Sequence, residues 1–116
     1  ETPEREKEIL LRYGQRIDKV EIPEEVINSI VNLVRATREE PWSKELDQAA
    51  SVRAGLSIYD RVQTMALLGG RSKAAMDDIR RVGVSSMTSR IKTSPESKFY
   101  DDPFGLVGEL VENVLG

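Results

Sequence analysis

Apolar side chains recur along this chain in short stripes at three- and four-residue spacing, broken by proline, glycine and polar clusters. The clearest stripe is Val26, Ile27, Ile30, Val31 and Val34, the signature of an amphipathic helix. Pro23 opens it, Glu24 and Glu25 suit the positive end of the helix dipole, and Arg35 and Arg38 suit the negative end. Pro41 forbids much further helix. An earlier, shorter stripe of Ile9, Leu10 and Tyr13 follows a Thr2 cap with Pro3 at the first helical position, and Gly14 can close it. Between the two, Gln15 to Ile22 reads as a connector with alternating Ile17, Val20 and Ile22, compatible with extended chain.

Beyond Pro41 the chain to Ala50 is irregular and carries Trp42. Ser51 then caps a third helix reaching about Leu68 and ending at Gly69-Gly70. Val52, Gly55, Leu56, Tyr59, Val62, Ala66 and the offset Met65 mark its buried side. Ser72 is the available cap for a fourth helix through Ile79, Val82, Ser86 and Met87 to about Ile91, with Gly83 as its weak point. Thr93 to Lys98 reads as a polar linker, and Asp102-Pro103 starts a last amphipathic helix bearing Phe104, Val107, Leu110, Val111 and Val114. The sum is an all-α bundle of four or five helices joined by short loops. Residues 1–92 form the bundle proper; 93–116 add a linker and a C-terminal helix packing on or extending the same domain.

Composition agrees with one small domain. The 116 residues are 39% hydrophobic and 32% charged, with aromatics scarce, so the core is aliphatic and suits helices better than a sheet. Cysteine and histidine are both absent, which removes disulfides, thiol chemistry, His-based acid/base work and the usual zinc sites. No stretch approaches the roughly 20 apolar residues of a membrane span. The net charge of −3 gives no global attraction to nucleic acid or anionic membrane. A basic stretch from Arg71 to Lys92 and an acidic one after Ser94 read as solvated faces of opposite sign. The lack of cysteine agrees with a cytoplasmic protein, and a start at Glu1 agrees with a segment of a longer one.

Chemistry-bearing constellations are few. Gly69-Gly70-Arg71-Ser72-Lys73 fails as a phosphate-binding loop, because a helix precedes it and the glycine spacing is wrong; a helix stop followed by a helix start accounts for it. Asp77-Asp78 and Asp101-Asp102 sit at helix starts, where carboxylates stabilise without further role. Arg53 alone breaks a local rule. It lies in the first turn of the third helix, where the macrodipole disfavours a cation unless an anion is close.

Five strings in register carry a resemblance: Ile22-Pro23-Glu24-Glu25-Val26, Leu33-Val34-Arg35-Ala36-Thr37-Arg38, Ala50-Ser51-Val52-Arg53-Ala54, Ala66-Leu67-Leu68-Gly69-Gly70-Arg71 and Asp77-Asp78-Ile79. Their order and spacing resemble the helical lid of AAA+ ATPases of the MoxR/magnesium-chelatase clade, over roughly residues 1–92, with Thr2-Pro3-Glu4-Arg5-Glu6 similar to the join with the nucleotide-binding core. The resemblance implies a lid packed over ATP and Mg2+ held by an upstream core, homo-hexameric rings, and ATP-driven remodelling of a client protein or, as the lid of a magnesium-chelatase ATPase subunit, metal insertion. It implies that Arg53 is the sensor arginine that reaches the nucleotide's terminal phosphates. The ATP-binding loops and the arginine finger belong to the core in that family, so the chain alone is expected to bind no cofactor or metal and to hydrolyse nothing. The chain departs from the pattern at Ala49, Val52, Ala75 and Met76, where the family favours Gly, Pro, Thr and Pro. Ala75 offers no capping oxygen, which moves the expected start of the fourth helix back to Ser72. Two other readings stand beside this one: a stand-alone helical protein-interaction module docking through its last helix, and a helical DNA-binding domain using the basic 71–92 stretch. Net acidity argues against the second.

Overall fold

Thr2 has the extended backbone of a helix cap, and its hydroxyl accepts the Arg5 N–H at 3.1 Å, so α1 runs from Pro3 to Tyr13. The computed structural model describes residues 2–14 and 19–116. The expected alternation at Ile17 lies outside the described residues. α2 follows over Glu24–Ala36, with Pro23 at its cap position. Ser51 caps α3 through the Arg53 N–H, and α3 spans Val52–Leu68. α4 covers Met76–Thr88 and α5 covers Pro103–Leu115. Asp102 caps α5 by accepting the Gly105 N–H at 2.9 Å.

The domain is all-α in its core, as the periodicity predicts. α2 is the central helix and touches α1, α3, α4 and α5; α3 and α4 form an antiparallel hairpin, and α5 lies against α2 and α4. Val26, Ile30, Leu33 and Val34 of α2 are almost wholly buried, in one cluster with Leu10, Ile58, Ile79, Val107 and Leu110 from the other four helices. The side chains of α5 therefore belong to the same core as those of α1 to α4.

Three local expectations are corrected. The fourth helix starts at Met76, not near Ser72, and ends at Thr88 instead of Ile91. Asp78 substitutes for the missing cap: its carboxylate reaches back to accept the Ala75 N–H at 2.8 Å. The Pro41–Ala50 segment is ordered, as a 3-10 turn at Trp42–Glu45 and a short strand β1, Leu46–Gln48. β1 pairs antiparallel with β2, Lys92–Thr93, with Leu46 opposite Thr93 and Gln48 opposite Lys92. Part of the expected polar linker is thus fixed: Thr93 and Ser94 are buried, the Ser94 N–H donates to Glu45 O, and the Ser97 hydroxyl donates to the Glu45 carboxylate. A bridge also joins Glu21 to the loop before α4 through Glu21 N–H to Ser72 O and Ala74 N–H to Glu21 O. The buried side of α3 is shifted from its stripe: Ala54, Ile58 and Gln63 join Gly55, Tyr59, Val62 and Ala66, while Val52, Leu56 and Met65 are only half-buried, because α1, α2 and α4 all pack on the helix.

Gly83 is a glycine that geometry does not demand. A methyl placed there would sit 3.8–3.9 Å from Ile79, Leu33 and Val111 side chains, ordinary contact distance. Gly83→Ala should therefore stabilise the domain by about 0.5–1 kcal/mol, from lower chain entropy in the unfolded state and added apolar contact. A thermal melt that fails to rise would show that α4 needs the glycine for a reason outside its packing.

Candidate functional site

The first turn of α3 places Arg53 one residue into the helix, with its backbone N–H already taken by the Ser51 cap. Its side chain is exposed and lines an open cleft of about 340 Å³ with Tyr13, Gly14, Leu56, Ser57, Asp60 and Arg90. α1 contributes its C-terminal end, α3 the face that carries positions 53, 56, 57 and 60, and the turn after α4 contributes Arg90. Behind the cleft Tyr59 is 1% exposed and lies against Gly14, where a Cβ would stand 2.7 Å from the ring and 2.6 Å from Leu10 O. Gln63, also fully buried, donates from Nε2 to Gly14 O at 2.8 Å. These contacts hold the end of α1 on α3 and so define the cleft's inner wall.

Several charged groups elsewhere are committed to one another. Glu6 is 3% exposed and accepts from Arg38 Nη2 at 2.5 Å and from Arg35 Nη1 at 3.3 Å, tying α1 to the end of α2. Arg71 forks onto Asp78 at 2.7 and 2.9 Å, joining the loop after α3 to the first turn of α4. The Arg71 guanidinium, more than burial or the Ala75 N–H, sets the balance that holds the Asp78 carboxyl below its ordinary 3.8. Arg5 pairs with Glu8, Arg81 with Asp77, Arg61 donates to the Ser85 hydroxyl, Arg80 to Leu115 O, and Arg12 lies over the Tyr13 ring. Arg53 and Arg90 are the two arginines whose side chains find no partner among the described residues. Both line the same cleft.

Arg53, singled out by its helix position, lines the cleft together with Arg90, which no sequence signal singled out. Sequence reasoning treated Asp78 as a routine helix-start carboxylate and missed the pairing with Arg71. It grouped Arg71, Arg80, Arg81 and Arg90 as one basic stretch, whereas the fold sends them to different places. Among the described residues no group of three or more acidic side chains is placed to hold a metal ion. No helix among them is long and apolar enough to cross a membrane.

The cleft is open and of mixed character, with Arg53 and Arg90 beside Asp60, Ser57, Tyr13 and Leu56. The chain belongs to the AAA lid domain family, whose family model matches residues 43–103, from the 3-10 turn through α3, α4 and the β1–β2 ribbon to the first residue of α5. It is thus a helical lid of AAA+ ATPase type, a kind of domain that works beside an AAA core in an oligomeric assembly. No curated protein matches the chain, and no solved structure does.

Proposed function

We propose that this domain is a lid of the MoxR/magnesium-chelatase clade that closes over ATP bound by an AAA core and delivers Arg53 to the terminal phosphates. The observation that carries the reading is Arg53 itself: exposed, unpaired among the described residues, and set in the first turn of α3 at the rim of the cleft. A guanidinium there meets an anion together with the helix's own positive end, which no acidic residue in the first turn of α3 neutralises. The residues fit a phosphate and do not fit a metal, so Mg2+ enters with the nucleotide and its ligands lie on the core. Bound ATP supplies the phosphoryl group whose transfer the core carries out. The part played by this chain is to place one positive charge where negative charge accumulates and to help exclude water. Coupling of that step to remodelling of a client protein, within a hexameric ring in the cytoplasm, follows from the same reading.

Arg53→Ala in the full-length ATPase should lower ATP turnover on the order of 10-fold or more, the usual consequence of losing a charge that stabilises phosphoryl transfer. The lid should stay folded, since Arg53 makes no side-chain contact that the bundle needs. Steady-state ATPase rates together with circular dichroism decide the matter. Unchanged turnover would make Arg53 a surface residue; a variant that unfolds would make it structural.

A further inference from the structure

We infer that Arg90 is a second phosphate-binding group of the same cleft, so that this domain presents a pair of guanidinium groups to a linear polyphosphate such as the tail of a nucleoside triphosphate. The inference rests on the reading of Arg53 as a phosphate-contacting residue and adds a residue 37 positions away (90 − 53).

The antiparallel hairpin of α3 and α4 brings the end of one helix back beside the start of the other. Arg90 follows Ser89, the C-cap of α4, and its N–H closes the last turn on Met87 O at 2.9 Å. Two residues later the chain enters β2, which is paired to β1 just ahead of α3. The backbone of Arg90 is therefore fixed on both sides, and its place in the same cleft as Arg53 is a product of the fold.

Every other described arginine has a carboxylate, hydroxyl, carbonyl or ring beside it. Arg53 and Arg90 have none, although Asp60 lines the same cleft and is itself in no ion pair among the described residues. Two uncompensated guanidinium groups in one cleft repel each other, and a polyanion relieves that repulsion as well as supplying hydrogen-bond acceptors. Asp60 lies seven residues after Arg53, about 10 Å along the helix at 1.5 Å per residue, and its carboxylate disfavours phosphate there. The anion is thus favoured at the part of the cleft away from Asp60, on the Arg53 side.

The test uses the 116-residue chain and sodium tripolyphosphate at low ionic strength, followed by NMR of the arginine side-chain Nε–H groups. The Arg53 and Arg90 signals should shift on one binding curve. Arg90→Gln should weaken binding on the order of 10-fold, comparable with Arg53→Gln, as expected for one charge-assisted contact. Arg81→Gln, remote from the cleft, serves as the control for net charge, and an unchanged amide spectrum shows that each variant is folded. If Arg53→Gln weakens binding and Arg90→Gln does not, the paired site is overturned while the role of Arg53 stands. If neither variant has an effect beyond that of Arg81→Gln, the paired site is overturned, and the role of Arg53 is decided separately by the turnover of Arg53→Ala in the full-length ATPase.

Discussion

Asp78→Ala should cost the domain about 2–4 kcal/mol, seen as a lower urea midpoint with an unchanged slope. The carboxylate is 3% exposed and makes three hydrogen bonds, two from the Arg71 fork and one from the Ala75 N–H. Truncation removes the start signal of α4 and the tie between the α3–α4 loop and that helix. Breaking a fully buried ion pair costs more than this, because the surviving charge is stranded in a dry interior. Here the survivor is Arg71, 42% exposed, and water can rehydrate it, which places the effect below the extreme. The pH dependence has a definite sign. Since Arg71 holds the Asp78 carboxyl below 3.8, the pair's contribution is fully present above about pH 4 and is lost as pH falls through the lowered value. Asp78→Asn should therefore be less stable than the parent at pH 7 and should approach it on acidification. A loss under 1 kcal/mol at pH 7, or parallel stability curves from pH 6 down to 3, would show that the pair contributes little.

Tyr59→Ala should be more damaging still, about 3–5 kcal/mol and a fall in melting temperature of roughly 15 °C, enough to leave a domain of this size marginal at best. Tyr59 is among the largest fully buried side chains, and burial also pushes its hydroxyl above the ordinary 10.0. Its ring lies against the Gly14 backbone, so the cavity opens between α1 and α3, and the rest of the bundle cannot close it without moving α1. The cleft shared by Arg53 and Arg90 should lose its inner wall in the same variant. A measured cost below about 1.5 kcal/mol would mean that α1 re-seats on α3 without the ring.

What could be read from the sequence divides along physical lines. The limits of α1, α3 and α5 were legible because Thr2, Ser51 and Asp102 cap with their own side chains, three residues or fewer from the N–H groups they accept. The start of α4 was not, because its stop–start signal is a pair seven residues apart, Arg71 and Asp78, acting where Ala75 has no capping atom. Strands of three and two residues are too short to show alternation, so the β1–β2 ribbon left no trace in the pattern. Glu6 and Gln63 sat outside every apolar stripe, yet both are buried, one on two arginines and the other on a backbone carbonyl. At the candidate site, Arg53 was visible because a single helix makes it anomalous. Arg90 carries no local anomaly, and its nearness to Arg53 exists only once two helices fold back on each other.

The β1–β2 ribbon has a mechanical side. It fastens the chain just before α3 to the chain just after α4, so the hairpin between them is a closed loop with a clasp at its base. Closing a loop of that length first would cost entropy with little return, so the clasp forms after the helices have met. Pulling on the flanking segments peels antiparallel strands apart one hydrogen bond at a time, in the weakest loading direction such a pair has. The helices beyond the clasp are spared until it opens. The hairpin thus carries a release at its root, and the start of α3 and the end of α4 stay registered to each other while the clasp holds.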